Sequence, residues 1–249
     1  MIRAVQLGTI DYGTALRLQQ SIVELRKQGR TEDVLLLLEH PPVITLGRNA
    51  RQTNVLHSQG ELARRGIEIF ECDRGGDVTF HGPGQLVAYP IFDLRRFTPK
   101  LGAVEFVRRL EEVVIRTCGE FGITTMRVPG RTGVWTRDEK KIAAIGVHIS
   151  RGVTSHGFAL NVSTNLDYFE LIVPCGIADK PVTSICVELG RSIGMAEVVP
   201  VVGRYFADVF NSEITIIRSL DELLDGKVGV PMKPPRELRT LFEDEVFWA

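Results

Sequence analysis

The chemistry in this chain begins at Pro174-Cys175-Gly176, where a thiol sits in a tight turn that displays a side chain more readily than it packs one. A displayed cysteine is the residue type for covalent catalysis, provided a neighbour lowers its pKa or takes its proton. Three upstream segments carry residues suited to complete such a site: Arg74 to Gln85, Lys141 to Gly146, and Ser155 to Val162. Lys141 opens an otherwise apolar run, Ile142-Ala143-Ala144-Ile145-Gly146. A lysine at a strand end is commonly just solvated, as its neighbour Lys140 illustrates. The functional alternative is an ammonium reaching into a cleft, tuning a thiol and carrying protons.

The glycine-rich stretch Arg74-Gly75-Gly76-Asp77-Val78-Thr79-Phe80-His81-Gly82-Pro83-Gly84-Gln85 matches neither Gly-x-Gly-x-x-Gly nor a phosphate loop ending in Lys-Ser/Thr. Four glycines around a β-like ribbon imply close approach of backbone to a strand or a ligand, or else a hairpin with special turns. His81, between that ribbon and Gly-Pro-Gly, reads as a site residue. His156, also followed by glycine, divides evenly between site and structure, and His40, His57 and His148 read as structural or surface. No His-x-His or His-x-x-x-His spacing is present, and no Cys-x-x-Cys, so the sequence predicts no metal.

The elements that must hold these residues alternate strand and helix, which predicts an α/β (α+β) fold with a mixed central β-sheet flanked by helices. Arg3 to Ile10 reads as a strand. Tyr12, Ala15, Leu18, Ile22 and Leu25 then recur at helical spacing. Asp33 to Glu39 is a short apolar run suited to a strand buried on both faces, and Val43 to Leu46 is expected to continue that sheet beyond Pro41-Pro42. Further strands are predicted at Ile67 to Glu71, Val78 to Phe80, Leu86 to Ile91, Ile142 to Ile149, Phe158 to Val162 and Ile214 to Ile217. Helices are predicted from Val104 to Phe121, stopped by Gly122, and from Met195 to about Phe210. Cys118 and Cys186 read as core fillers, and Cys72 as a residue just ahead of the glycine loop. Residues 1–217 form the expected catalytic domain. Residues 218–249, with five Gly and Pro between Gly226 and Pro235, form an appendage.

The 249 residues, 44% hydrophobic and 24% charged, are ordinary globular composition, and a formal charge of -1 offers no broad basic field for duplex nucleic acid. No apolar stretch approaches the roughly 18 residues that span a bilayer, and the start lacks a signal-peptide pattern. Four scattered cysteines suggest reduced thiols. The expectation is a cytoplasmic monomer without membrane or nucleic-acid partners.

Together the four ordered motifs, Arg-Gly-Gly-x-x-x-Phe-His-Gly-Pro-Gly-Gln, Lys-Ile-Ala-Ala-Ile-Gly, His-Gly-Phe-Ala-Leu-Asn and Pro-Cys-Gly, resemble those of the octanoyl-acyl-carrier-protein:protein N-octanoyltransferases. The resemblance spans roughly residues 5 to 215. It implies the fold shared by biotin and lipoate protein ligases, Cys175 as the acyl-thioester residue and Lys141 as its tuning partner. It implies a substrate pocket built from Arg74, Gly75, Gly76, Asp77, Val78, Thr79, Phe80 and His81, from Ala144, Ile145 and Gly146, and from Gly157, Phe158 and Ala159. The implied donor is octanoyl-acyl carrier protein, and the implied acceptors are lipoyl domains of 2-oxoacid dehydrogenase E2 subunits and the glycine cleavage H protein. Acyl transfer from a thioester to an amine is downhill, so no cofactor is expected. An ATP-dependent ligase, which would not need Cys175, and a non-catalytic carrier-protein-binding module are the rival readings.

Overall fold

Strands that present apolar residues on both faces must be covered on both sides, and the chain arranges its helices accordingly. The computed structural model describes residues 1–174 and 180–217. In chain order the elements are β1 (Ile2–Thr9), α1 (Tyr12–Lys27), β2 (Asp33–Glu39), β3 (Val43–Leu46), α2 (Gln59–Arg64), β4 (Glu68–Glu71), β5 (Val78–His81) and β6 (Gln85–Ile91). There follow α3 (Ala103–Glu120), β7 (Thr125–Val128), β8 (Arg131–Thr136), β9 (Lys141–Ser150), β10 (Val153–Asn161), α4 (Ile185–Leu189), α5 (Met195–Phe210) and β11 (Ile214–Ile216).

Eight strands form one mixed sheet in the order β11-β1-β2-β6-β10-β9-β8-β7. Strand β1 runs parallel to both β11 and β2, and the pairs from β2 through β6, β10, β9 and β8 to β7 are antiparallel. One face carries α1, whose Ala15, Leu18 and Ile22 pack with Val34, Leu36 and Val87. Asp11 caps that helix, its carboxylate accepting from the Thr14 N–H at 2.8 Å. The opposite face carries α3 and α5, with Phe106, Leu110, Val202 and Phe206 packed on Ala88, Phe158 and Leu160. Cys118 is fully buried in this second core, as its place on the apolar stripe of α3 implied. Among the described residues, no helix is long and apolar enough to cross a membrane.

One strand goes elsewhere than the sequence predicts. Val43–Leu46 does not extend the large sheet. It is the centre of a second, three-stranded sheet, parallel to β4 and antiparallel to β5. The physical reason lies in Pro41-Pro42, which offer no backbone N–H, so the ladder begun by β2 stops and the chain turns away. The small sheet packs its Ile44, Val78 and Phe80 on Leu62, Phe169 and Leu171, and thus has a core of its own. It abuts the start of α1, where the Tyr12 ring lies 5.4 Å from Phe70 and stacks on His81 at 6.1 Å. A cleft remains between the two sheets. The hairpin β7–β8 and the short helices α2 and α4 escaped the sequence reading.

Candidate functional site

The floor of the cleft is one face of β6, β9 and β10. Side chains alternate across a strand, so Leu86, Ala88, Ala143, Phe158 and Leu160 enter the core under α3 and α5 while Val87, Tyr89 and Ala159 face the other way. Ala144, Gly146 and Gly157 keep the floor shallow. A Cβ on Gly157 would lie 2.0 Å from Ala88 O, so no other residue permits β10 and β6 to approach as they do. Ile145 and Phe158 also reach the lining, although they pack in the core.

The wall is the glycine loop, held between backbone neighbours on both sides. Arg48 N–H donates to Arg74 O, Asn49 N–H to Gly76 O and Gly75 N–H to Val147 O, at 2.9 to 3.1 Å. A Cβ on Gly146 would stand 2.6 Å from Gly75 O, and one on Gly47 would stand 2.4 Å from Gly76 O. Close packing against the loop's backbone thus accounts for Gly47 and Gly146, while within the loop Gly76 and Gly84 hold left-handed φ values of 92° and 78°. Beyond the loop, β5 alternates. Thr79 and His81 line the cleft, whereas Val78 and Phe80 are fully buried in the small sheet's core. Arg74, Gly76 and Asp77 line the cleft, and Gly75 is spent on its bond to Val147.

A buried polar chain crosses from this wall to Lys141. The Arg74 guanidinium, only 8% exposed, donates to Thr45 O, Thr45 Oγ1 and Gly75 O. His81 Nε2 faces Thr45 Oγ1 at 3.5 Å, and His81 Nδ1 lies 2.8 Å from Gln85 Oε1. Gln85 Nε2 donates to Phe80 O and Asn161 Oδ1, which fixes Oε1 as the acceptor and Nδ1 as the protonated nitrogen of His81. Asn161 Nδ2 donates to Thr183 O, and Thr183 N–H donates to Lys141 O. Burial drives the His81 pKa well below its ordinary value, with the charges of His40 and Arg74 adding to it. His81 is therefore neutral in this arrangement. His40, also buried, drops to about 4; its Nδ1 donates to Ile10 O and its Nε2 accepts from Tyr89 Oη at 2.7 Å.

Lys141 is 6% exposed. Its N–H donates to Pro181 O at 2.8 Å, its Nζ lies 5.2 Å from the Trp135 ring centroid, and Gly133 leaves room for its stem, since a Cβ there would stand 2.8 Å from Lys141 Cε. Lys141, Asn161 and Pro174 line one small cavity, which shares Thr79, Ala144 and Ala159 with the larger cleft. The chain leading to Pro174 is tied down as well. Val173 N–H donates to Asn54 O at 2.8 Å, and Asn54 Nδ2 donates to Asp77 Oδ2 at 2.5 Å. Cys175 itself lies outside the described residues, as does the segment from 218 onward.

At the other end of the cleft, His156 is 2% exposed, adopts a left-handed φ of 58° and places Nε2 2.7 Å from Asp73 Oδ1. The hydrogen bond with His156 holds the Asp73 pKa down to about 2. Tyr12, one of the helically spaced apolar positions, and Tyr89, within the predicted strand Leu86 to Ile91, line the cleft beside it, and burial raises both phenol pKa values. Nothing in a single sequence separates such tyrosines from core aromatics. Among the described residues no cluster of His, Cys, Asp and Glu is arranged to hold a metal ion.

Comparison with known proteins adds a family to this geometry. Residues 11–207 match the family described as the Lipoyl protein ligase A/B catalytic domain. A curated octanoyltransferase from Koribacter versatilis (strain Ellin345) is 60% identical over 248 residues, which cover 99% of each chain. A solved putative lipoate protein ligase from T. acidophilum with bound lipoic acid is 17% identical and superposes with a TM-score of 0.67 over 86% of this chain and 88% of that one. Biotin protein ligase from Aquifex aeolicus in complex with biotin and ATP is 15% identical, with a TM-score of 0.52 over 84% and 70%. At such identities the solved structures show a shared fold.

Proposed function

The chain belongs to the lipoyl protein ligase A/B catalytic-domain family, and from that premise we propose that it moves an octanoyl group from octanoyl-acyl carrier protein, through a thioester on Cys175, to a lysine of a lipoyl domain. The observation that carries this reading is the cavity shared by Lys141 and Pro174, which has Thr79, Ala144 and Ala159 in common with a neighbouring, mostly apolar cleft. An acyl chain lying in the cleft would have its carbonyl carbon beside the amine and the residue that precedes Cys175.

In the first half-reaction the Cys175 thiolate attacks the octanoyl thioester, the carrier's thiolate leaves, and a proton goes to it. In the second, the lipoyl-domain amine attacks the Cys175 thioester, loses a proton, and the cysteine thiolate is released. Thioester exchange is near balance and amide formation is downhill, so the sequence needs neither ATP nor a metal. Electrostatics alone would give Lys141 a small role. A thiol of pKa about 8.5 is roughly 3% ionised at pH 7, and lowering it to about 7 raises that about 16-fold. Nucleophilicity falls with basicity, returning about fivefold and leaving a net gain of about threefold. Lys141 therefore also shuttles the proton, work typically worth about a hundredfold or more.

We place the protein in the cytoplasm as a monomer, acting on lipoyl domains of 2-oxoacid dehydrogenase E2 subunits and the glycine cleavage H protein. Intact mass spectrometry after mixing with octanoyl-acyl carrier protein, without ATP, tests the reading. The expected result is an octanoyl adduct absent from Cys175→Ser and discharged by apo lipoyl domain, with single-turnover transfer slowed about a hundredfold by Lys141→Ala. Modification appearing only with free octanoate and ATP would replace it by a ligase.

A further inference from the structure

We infer that His156, held by Asp73, is the stop that sets the length of acyl chain the cleft accepts. The inference rests on the proposed octanoyl transfer and deepens it.

The argument is one of length and continuity. Ala144 lines both the Lys141 cavity and the larger cleft, and it marks where the carbonyl end of the chain would lie. From Ala144 the floor runs along β9 and β10 by way of Gly146 and Gly157 to the level of the Val147–His156 pair, where Val147 packs in the core under α3 and α5 and His156, with its left-handed backbone, lines the cleft. Those three residue steps are about 10 Å of strand. An extended octanoyl chain, at about 1.25 Å per projected carbon–carbon bond, spans about 9 Å from carbonyl carbon to methyl. The chain end therefore arrives at the His156 ring.

That ring is a wall between two spaces. His156 lines the cleft on one side, and on the other it lines a separate open groove of about 180 Å³, where Leu16 and Val23 lie among Gln19, Glu24, Lys27 and His148. Two contacts fix the ring and a third fixes its backbone. Nε2 lies 2.7 Å from Asp73 Oδ1, Tyr89 meets it edge-on with centroids 6.3 Å apart, and its backbone N–H donates to Gln19 Oε1 at 2.7 Å. With the ring gone, the cleft would open into that groove and make room for further methylenes. The left-handed backbone at His156 is one that Gly and Asn adopt readily, so His156→Gly and His156→Asn remove the wall while suiting the local conformation.

The test compares kcat/KM for octanoyl-, decanoyl- and dodecanoyl-acyl carrier protein in one variant at a time, so that a general loss of activity cancels in the ratio. The wild type should fall off beyond octanoyl. Each buried methylene is typically worth about fourfold, and both His156 variants should raise the dodecanoyl-to-octanoyl ratio by about tenfold or more. Asp73→Ala, at an exposed carboxylate, should free the ring without removing it and raise the ratio about threefold. It decides the matter should the His156 variants not fold. Unchanged ratios, with octanoyl transfer by the wild type intact, overturn the stop alone. Absence of octanoyl transfer by the wild type overturns the functional reading and this inference with it.

Discussion

The two faces of the large sheet are built from the same strands and have opposite characters. Under α3 and α5 the filling is aromatic. The Phe92 ring lies 6.2 Å from Phe106, 6.2 Å from Phe206 and 5.2 Å from Phe210, while Phe158 stacks on Phe206 at 5.9 Å. On the cleft face, β6, β10, the glycine loop and the small sheet bury Thr45, Arg74, His81, Gln85, His156 and Asn161. Dispersion and the hydrophobic effect are non-directional, so the aromatic face tolerates local adjustment without loss of chemistry. Hydrogen bonds in a low-dielectric site are directional and costly to leave unmade, so on the cleft face stability and geometry depend on the same atoms.

The largest expected effect lies on the aromatic face. Phe206→Ala should cost about 3–5 kcal/mol of stability, the usual range for a buried phenylalanine. Measured by urea denaturation beside initial rates, the variant should show a lowered midpoint and an unchanged rate per folded molecule. A loss of rate at full folding would mean that the two faces are mechanically coupled.

Acid should act on the other face. Burial lowers the His40 pKa to about 4 from an ordinary 6.5. Below pH 6.5 the unfolded chain therefore takes up a proton that the folded chain refuses. Stability from this group is complete above pH 6.5 and is lost as pH falls towards 4, by about 1.4 kcal/mol per unit and about 3 kcal/mol in all. His81 is displaced in the same direction and steepens the loss. Denaturation curves at pH 7 and pH 5 should show it. Phe206→Ala should lower both curves without altering the difference between them.

What was legible in the sequence follows the same division. The aromatic face belongs to long periodic elements, and α3, α5, β2 and Cys118 stand where apolar spacing put them. The glycine loop was legible as close backbone approach or special turns, and it shows both: its backbone packs on Gly47 and Gly146, and its own Gly76 and Gly84 take left-handed φ values. The sequence could not say that β3 would found a second sheet, because the prolines mark a break and not a destination. Nor could it say that β5 would turn Thr79 and His81 to the cleft and Val78 and Phe80 away from it, because which face is buried depends on that second sheet. The Gln85–Asn161–Thr183 chain was beyond reach for a related reason, since its members lie up to a hundred residues apart and meet only through the order β6-β10-β9.

That chain gives the finest test of the comparison. Gln85 is 1% exposed and satisfies three groups at once: it accepts from His81 Nδ1 and donates to Phe80 O and Asn161 Oδ1. Gln85→Leu is close in volume and leaves all three unpaired, at a cost of about 1–3 kcal/mol. On the aromatic face such a loss would leave the rate alone. Here Asn161 also holds Thr183, whose N–H donates to the carbonyl of Lys141, so the amine should lose its alignment and kcat should fall about tenfold with KM little changed, short of the roughly hundredfold that a 1 Å misplacement can cost. Gln85→Glu separates the two ends of the chain, because it keeps an acceptor for His81 and loses the donor to Asn161. If Gln85→Glu loses rate as Gln85→Leu does, the path to Lys141 runs through Asn161. If it keeps the wild-type rate, His81 is the partner that matters, and the cleft face is organised from the glycine loop and not from the floor.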